Sequence, residues 1–189
     1  MGKHRVQTES SPLHGVLVRR RGLQPVAALL LVALSAVACE KVTTYVLVRH
    51  AEPAAGVDPP LSLPGGQRAH ALIDVMRQSH VAVVFHSQFV RTTETAESVA
   101  TALNVPRIEI PVTAGQEQVQ VDSTLRHVRS TFAGRTVLIV GHSNTVPLAV
   151  SSLGVANAPP IGPNDFHHLF IVVKHGSNPG KLIHARYGQ

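Results

Sequence analysis

The apolar positions in residues 42–187 repeat with two different periods. Short runs of β-branched and apolar residues predict buried strands, whereas apolar positions three or four residues apart predict helices. The predicted strands cover residues 42–48, 81–85, 107–112, 136–140, 168–173 and 181–187. The predicted helices cover residues 65–79, 92–103, 118–132 and 146–153. Strands and helices therefore alternate along most of the chain.

This alternation predicts an α/β fold built on one central sheet. Strands joined by helices run parallel, because the crossover returns the chain to the same edge of the sheet. The last two strands are instead joined by Gly176–Gly180, a turn sequence that predicts an antiparallel hairpin. We expect a single-domain three-layer α/β/α sandwich whose mostly parallel sheet has an antiparallel edge.

The segment before the first strand has the organisation of an export signal. Arg19–Arg21 precede an apolar run, Pro25–Ala38, which is shorter than the roughly 20 residues that cross a bilayer. The run ends in the small residues that signal peptidases require. We therefore expect residues 1–38 to be a signal peptide, with cleavage before Cys39, and residues 39–189 to form one folded domain that is exported.

Cys39 follows the apolar run directly and is the single cysteine of the chain. It is a candidate for lipidation, which would leave the protein attached to the membrane, for example in a periplasm. Free secretion after cleavage at the same bond and an uncleaved anchor remain alternatives, because Ala36 replaces the leucine usual in lipoprotein signals. One cysteine also excludes a disulfide within the chain and a zinc site made of cysteines.

Charge and composition exclude nucleic acid as the partner. Of the net charge of +6, the five Lys and Arg and one acid before Cys39 supply +4, and the twelve Lys and Arg and ten acids after it supply +2. The body therefore has no basic stripe to follow a phosphate backbone. Aromatic residues make up only 4% of the chain, so platforms for stacked bases are scarce.

Arginines and histidines follow three of the predicted parallel strands. Arg49 and His50 come after the first strand, Arg91 lies just beyond the second, and His142 follows the strand at 136–140. Ligands of open α/β sheets bind beyond the carboxyl ends of the strands. Each residue alone is compatible with a loop or a core histidine, but their coincidence predicts one anion-binding crevice.

Two other chemistries are conceivable at these strand ends. The sequence Gly141–Asn144 resembles the turn that carries a nucleophilic serine, but Thr145 stands where that turn needs a second glycine. A metal site made of His50, His86 and His142 would be opposed by the neighbouring arginines. We therefore expect neither a metal nor another cofactor.

Four segments then resemble the histidine phosphatase superfamily, which has the phosphoglycerate-mutase-like fold. Residues 47–53 (LVRHAEP) resemble its Arg-His-Gly signature, with Ala51 in place of the usual glycine. Residues 61–65, 87–97 and 138–144 resemble its later blocks, in the family's order. The small size resembles the short branch of phosphohistidine phosphatases and exported lipoprotein-type members.

The resemblance implies a metal-independent phosphatase that hydrolyses phosphate monoesters or phosphohistidine, on a small molecule or a phosphoprotein. His50 would form the covalent phosphohistidine, while Arg49, Arg91 and a protonated His142 would bind the phosphate. The general acid has no motif around it. Its candidates are Glu117 first, then Asp122 and Glu109.

Two further functions fit the same fold. A mutase-type phosphotransferase must shield its phosphohistidine from water with large insertions, which residues 39–189 lack. A non-catalytic phosphate-binding or scaffold protein is expected to lose His50 or an arginine, and both arginines and both histidines are present. The sequence pattern does not define an oligomeric state.

Overall fold

The computed structural model describes residues 1–2 and 40–188, so Cys39 and all but the first two residues of the predicted signal peptide lie outside the described residues. The strands are β1 (Val42–Arg49), β2 (Val81–His86), β3 (Arg107–Glu109), β4 (Thr136–Gly141), β5 (His168–His175) and β6 (Lys181–Arg186). The helices are α1 (Leu63–Met76), α2 (Val90–Leu103), α3 (Glu117–Thr131) and α4 (Thr145–Ser152). Among these helices, none combines the length and the apolar character that a membrane span requires.

All six of these strands form one sheet in the order β3-β2-β4-β1-β5-β6. Strand β4 pairs in parallel with β1 and β2, and β2 pairs in parallel with β3. Strand β5 runs antiparallel to both β1 and β6. The predicted mostly parallel sheet with an antiparallel edge is therefore confirmed, and the carboxyl ends of β1, β2 and β4 lie side by side.

Helices cover both faces of the sheet. Along β1, Tyr45 and Leu47 pack into one core together with residues of α3 and α4. Val46 and Val48 pack into the other core, together with residues of α1 and α2. Successive strand residues point to opposite faces, so a strand that is buried on both faces becomes a continuous apolar run.

Helix α1 begins two residues before its predicted start. The Ser62 side chain caps it by accepting a hydrogen bond from the Gly65 amide at 3.2 Å, and Pro64 fits the first turn. A Cβ atom at Gly65 would overlap the backbone carbonyl of Glu52. The Leu-Ser-x-x-Gly segment is therefore explained by a cap and a close backbone approach.

Strand β3 is shorter than the predicted 107–112, because it pairs only with β2 and ends at Glu109. The chain then leaves the sheet towards the strand ends. Gln88 holds it there with two hydrogen bonds to the Val112 backbone, at 2.8 and 2.9 Å. This departure brings the segment before α3 to the edge of the predicted crevice.

Candidate active site

The four predicted residues meet at the carboxyl end of the sheet. They line one cavity of about 610 Å³, to which α4 contributes the residues at its start. The amino end of a helix carries partial positive charge, which favours an anion. The other residues of the cavity wall are Pro53, Phe89, Val112, Ala114, Glu117, Ser143, Asn144 and Thr145. The cavity is therefore cationic at one end and partly apolar along its sides.

His50 has a defined tautomer. Its Nδ1 lies 2.8 Å from the carbonyl oxygen of Ala51, which can only accept a hydrogen bond, so Nδ1 carries the proton. Its Nε2 then carries a lone pair, and Arg91 Nε donates to that atom over 3.2 Å. The ring is 4% exposed, so Nε2 is a positioned basic nitrogen at the cavity wall.

The pKa of His50 is lowered to about 3, and burial is the largest cause. The hydrogen bond to Ala51 acts in the opposite direction and raises this pKa. His142, Arg49 and Arg91 add smaller electrostatic contributions that also lower this pKa. His50 is therefore neutral at neutral pH. Burial is the main cause of this neutrality, and the cationic neighbours are the smaller one.

His142 is held through its other ring nitrogen. Its Nε2 lies 2.9 Å from the Ser87 hydroxyl, which lies 2.9 Å from the Thr92 hydroxyl. Thr92 has two backbone carbonyl acceptors, at 2.7 and 2.9 Å. If the Thr92 hydroxyl donates its one proton to these carbonyls, it can only accept a hydrogen bond from the Ser87 hydroxyl. The Ser87 oxygen then accepts a hydrogen bond from Nε2 of His142. Nδ1 is then the nitrogen of His142 that is free to meet a ligand.

The protonation state of His142 in the empty site is set by its burial and by its charged neighbours. The pKa of His142 is lowered to about 4, mainly by burial and to a smaller extent by Arg91 and Arg49, whereas the carboxylate of Asp58 raises it. His142 is therefore neutral at neutral pH. A sequence can indicate that a histidine has cationic neighbours, but it does not show how deeply the histidine ring is buried.

Arg49 is fixed by the loop that precedes β5. Its Nη1 donates to the carbonyls of Gly162 and Pro163, at 2.9 and 2.8 Å. Its guanidinium lies 3.9 Å from the centre of the Phe166 ring. Its Nε is buried and has no hydrogen-bond partner among the described residues, which suits a donor awaiting an anion.

Arg91 contacts an acid that the sequence analysis missed. Asp58 accepts hydrogen bonds from Arg91 Nη1 at 3.3 Å and from the Val90 amide at 3.0 Å. Asp58 lies in the proline-rich loop between β1 and α1, in a left-handed conformation with φ of 46°. Loop residues have no periodic pattern of apolar positions, so the sequence did not predict the contact between Asp58 and Arg91.

The three general-acid candidates lie in different places. Glu117 lines the cavity, where its Oε1 accepts hydrogen bonds from the Gly115 amide at 3.2 Å and from Asn144 at 3.4 Å. Asp122 and Glu109 are exposed and are not part of the cavity wall. Of the three, only Glu117 is placed to reach a ligand in the cavity.

The remaining motif residues have structural explanations. The Ala51 amide donates to Thr95 Oγ1 at 3.0 Å, and Thr95 donates to the Arg91 carbonyl at 2.7 Å, which ties the end of β1 to α2. Ala51 is not among the residues with positive φ, so alanine fits where the family usually has glycine. His86 lies outside the cavity wall, and the three-histidine metal site does not form.

Comparison with protein families gives one match. The model of the histidine phosphatase superfamily, branch 1, matches residues 45–114. These residues include Arg49, His50 and Arg91, whereas His142 lies beyond them. No curated protein sequence matches the chain.

Solved structures share the fold at low sequence identity. SixA from Nakamurella multipartitia, a proposed phosphohistidine phosphatase, is 23% identical with a TM-score of 0.60, over 78% of this chain and 98% of its own. The protein histidine phosphatase SixA complexed with tungstate is 20% identical with a TM-score of 0.61, over 76% and 96%. The mycobacterial glucosyl-3-phosphoglycerate phosphatase is 14% identical with a TM-score of 0.60, over 78% and 99%. The family model thus matches one part of this chain, residues 45–114, to the histidine phosphatase superfamily, and the solved structures share the fold of the chain.

Proposed function

We propose that the protein hydrolyses phosphate monoesters or phosphohistidine without a metal ion, through a covalent phosphohistidine on His50. The observation that carries this proposal is the tautomer of His50, since Ala51 accepts the Nδ1 proton and Nε2 presents a lone pair to Arg91 on the wall of the cavity. A neutral, positioned nitrogen is what nucleophilic catalysis requires.

In the first step the lone pair of His50 Nε2 forms a bond to phosphorus. The bond from phosphorus to the leaving oxygen or nitrogen breaks, and the leaving group keeps the electron pair. In the second step water attacks phosphorus, the N–P bond breaks, and its electron pair returns to Nε2. The entering phosphate takes the Arg91 donor away from Nε2, which frees the lone pair.

Arg49 and Arg91 stabilise the phosphoryl group as its charge shifts in the transition state. Arg49 is already fixed by the 162–165 carbonyls, so its donors do not have to reorganise during the reaction. One such donor contributes about 3–4 kcal/mol in comparable sites. The bound dianion also raises the pKa of His142, so that its Nδ1 gains a proton and becomes a further donor.

The leaving group separates two classes of substrate. An alkoxide needs a proton from the protein, and Glu117 is the candidate donor, whereas an activated phenolate leaves without one. We expect Glu117→Gln to slow hydrolysis of an alkyl phosphate by about 10²-fold and of para-nitrophenyl phosphate by less than about threefold. Steady-state rates on both substrates check this, with Asp122→Gln as the matched control. Equal losses on both substrates would argue against Glu117 as the acid.

The names of the structural neighbours support both phosphohistidine and phosphate esters as substrates. One neighbour is named a protein histidine phosphatase and another a glucosyl-3-phosphoglycerate phosphatase. The cavity side made of Pro53, Phe89, Val112 and Ala114 would contact the leaving part of the substrate through apolar groups. The substrate of this protein therefore combines a phosphoryl group with a neutral or apolar neighbour.

The test is hydrolysis of para-nitrophenyl phosphate by the purified full chain in EDTA. We expect turnover in EDTA, its loss in His50→Ala, and wild-type rates in His70→Ala, which removes an exposed histidine of α1. Rapid acid-free quenching with labelled substrate should trap a phosphohistidine. A folded protein that binds tungstate but hydrolyses neither this ester nor phosphohistidine peptides would instead be a phosphate-binding protein.

We also propose that the protein is exported and carries a lipid on Cys39, on the strength of the apolar run that ends at Ala38. Expression in a bacterium fed labelled palmitate tests this. We expect label on the wild type and none on Cys39→Ser. Unlabelled wild-type protein that is released in soluble form after cleavage would support free secretion instead.

A further inference from the structure

A second group of histidines lies on the antiparallel side of the sheet, where the loop after residue 162 enters β5. One ligand-type atom each from Asp165, His167 and His168 lies within 4.8 Å of the others. His184 of β6 pairs with this group from the neighbouring strand. The phosphatase mechanism uses none of these side chains.

His168 is oriented as metal-binding histidines are. Its Nδ1 lies 2.8 Å from Nε2 of His184, and its Nε2 lies 3.8 Å from Asp165 Oδ2. If Nδ1 donates to His184, the lone pair of Nε2 is directed towards the carboxylate. Metal-binding histidines commonly donate their second ring nitrogen to a neighbouring acceptor in this way.

His167 supplies an independent observation. Its Nε2 is buried and has no hydrogen-bond partner among the described residues. Its ring stacks on that of His168, with 4.7 Å between the centroids and 29° between the planes. Buried polar nitrogens nearly always have a partner, so this one calls for a ligand.

We propose that Asp165, His167 and His168 bind a divalent transition-metal ion such as Zn²⁺, with His184 as the residue that orients His168. Two nitrogens and a carboxylate oxygen, with water as the fourth ligand, form a common zinc coordination sphere. Ligand atoms on one zinc ion lie about 3.3–3.5 Å apart, so the three atoms must approach slightly. The Asp165 side chain is 45% exposed, and its Oδ2 accepts a hydrogen bond from the Gly162 amide at 3.1 Å, so the movement must keep or replace that bond.

The electrostatic setting is compatible with a cation. Asp165 is the carboxylate that faces His168, with 3.8 Å between Asp165 Oδ2 and His168 Nε2. The Asp165 carboxylate offsets part of the charge that the ion would bring.

The site lies on the loop that fixes Arg49, because Arg49 Nη1 also donates to the Asp165 carbonyl at 3.3 Å. The metal would stabilise this loop without taking part in the reaction. The inference is therefore independent of the proposed function. We expect EDTA to lower the melting temperature of the protein while phosphatase turnover persists.

The test is equilibrium dialysis and calorimetry of the chelator-treated full chain with ZnCl₂. The wild type should bind one more equivalent than Asp165→Asn and His168→Gln. His184→Ala should bind that equivalent about 10–100-fold more weakly. The exposed residues Asp74 and His70 provide the matched controls Asp74→Asn and His70→Gln, which should bind like the wild type.

A second measurement needs no variant. X-ray absorption of the wild type loaded with one equivalent of Zn²⁺ should show nitrogen and oxygen ligands with imidazole scattering. Zinc binding that is equal in the wild type and in folded Asp165→Asn and His168→Gln would overturn the proposal. So would an absorption spectrum without imidazole, or the absence of any stoichiometric binding.

Discussion

The two histidines of the cavity are held in opposite ways. Ala51 fixes His50 through the proton on Nδ1, which leaves Nε2 as a base, whereas Ser87 fixes His142 through Nε2. Burial is the largest cause of the low pKa of both rings, to about 3 for His50 and about 4 for His142. In the proposed mechanism the same residue type therefore serves as a nucleophile or as a hydrogen-bond donor, according to which ring nitrogen the protein already occupies.

The largest expected difference between His50 and His142 is in the effect of their substitution on kcat. His50→Asn removes the atom that forms the bond to phosphorus, so we expect kcat to fall by at least about 10⁴-fold. His142→Asn removes one donor, which is expected to cost about 10²–10³-fold. Steady-state kinetics with quench trapping checks both. His142→Asn should still yield a trapped phosphohistidine, and a phosphohistidine in His50→Asn would move the nucleophile elsewhere.

The second prediction concerns how the free energy of unfolding depends on pH. An unfolded histidine has a pKa near 6.5, whereas the folded pKa is about 3 for His50 and about 4 for His142. In that interval the unfolded chain binds more protons, so the free energy of unfolding falls as the pH falls through it. Between pH 6.5 and 5 we expect a loss of about 1–2 kcal/mol for each ring.

Urea unfolding across that interval measures this dependence. The interval lies above the usual range of carboxylates, so the pairing of Glu52 with Arg68 adds little to it. His50→Asn should remove about half of the slope, whereas the exposed His70→Asn should leave it unchanged. A wild type whose stability does not change between pH 6.5 and 5 would contradict the low pKa of both buried rings.

The third prediction isolates the hydroxyl that holds His142. Ser87→Ala removes the acceptor of Nε2 while leaving every contact of His50 in place. We expect kcat/KM to fall by about fivefold, because one neutral hydrogen bond contributes about 1 kcal/mol. Ser87 is a positioning residue, so NMR should also show a lower pKa for His142 with tungstate bound. Ser98→Ala, which removes a hydroxyl bonded within α2, is the control.

The sequence predicted the fold and the meeting point of the four residues for one physical reason. Burial on both faces of the sheet makes β1 and β4 continuous apolar runs, and parallel strands end at one edge. The local bonds within the site carry no such pattern. Neither the Phe166 contact of Arg49 nor the charge of His142 could be predicted, because loop geometry and burial depth arise only on folding.

The last prediction concerns Asp58, which acts on one histidine and not on the other. Its carboxylate raises the pKa of His142 and contacts Arg91, whereas it is not among the causes that shift the pKa of His50. A phosphate must compete with Asp58 for Arg91, so Asp58→Asn should strengthen inhibition by inorganic phosphate about two- to fivefold, the range of an exposed ion pair. Inhibition constants at several pH values measure this, with Asp74→Asn as the control. Asp58→Asn also removes a negative charge that favours protonated His142. The gain in affinity for inorganic phosphate should therefore become smaller as the pH rises. An equal gain at every pH would mean that Asp58 acts through Arg91 alone.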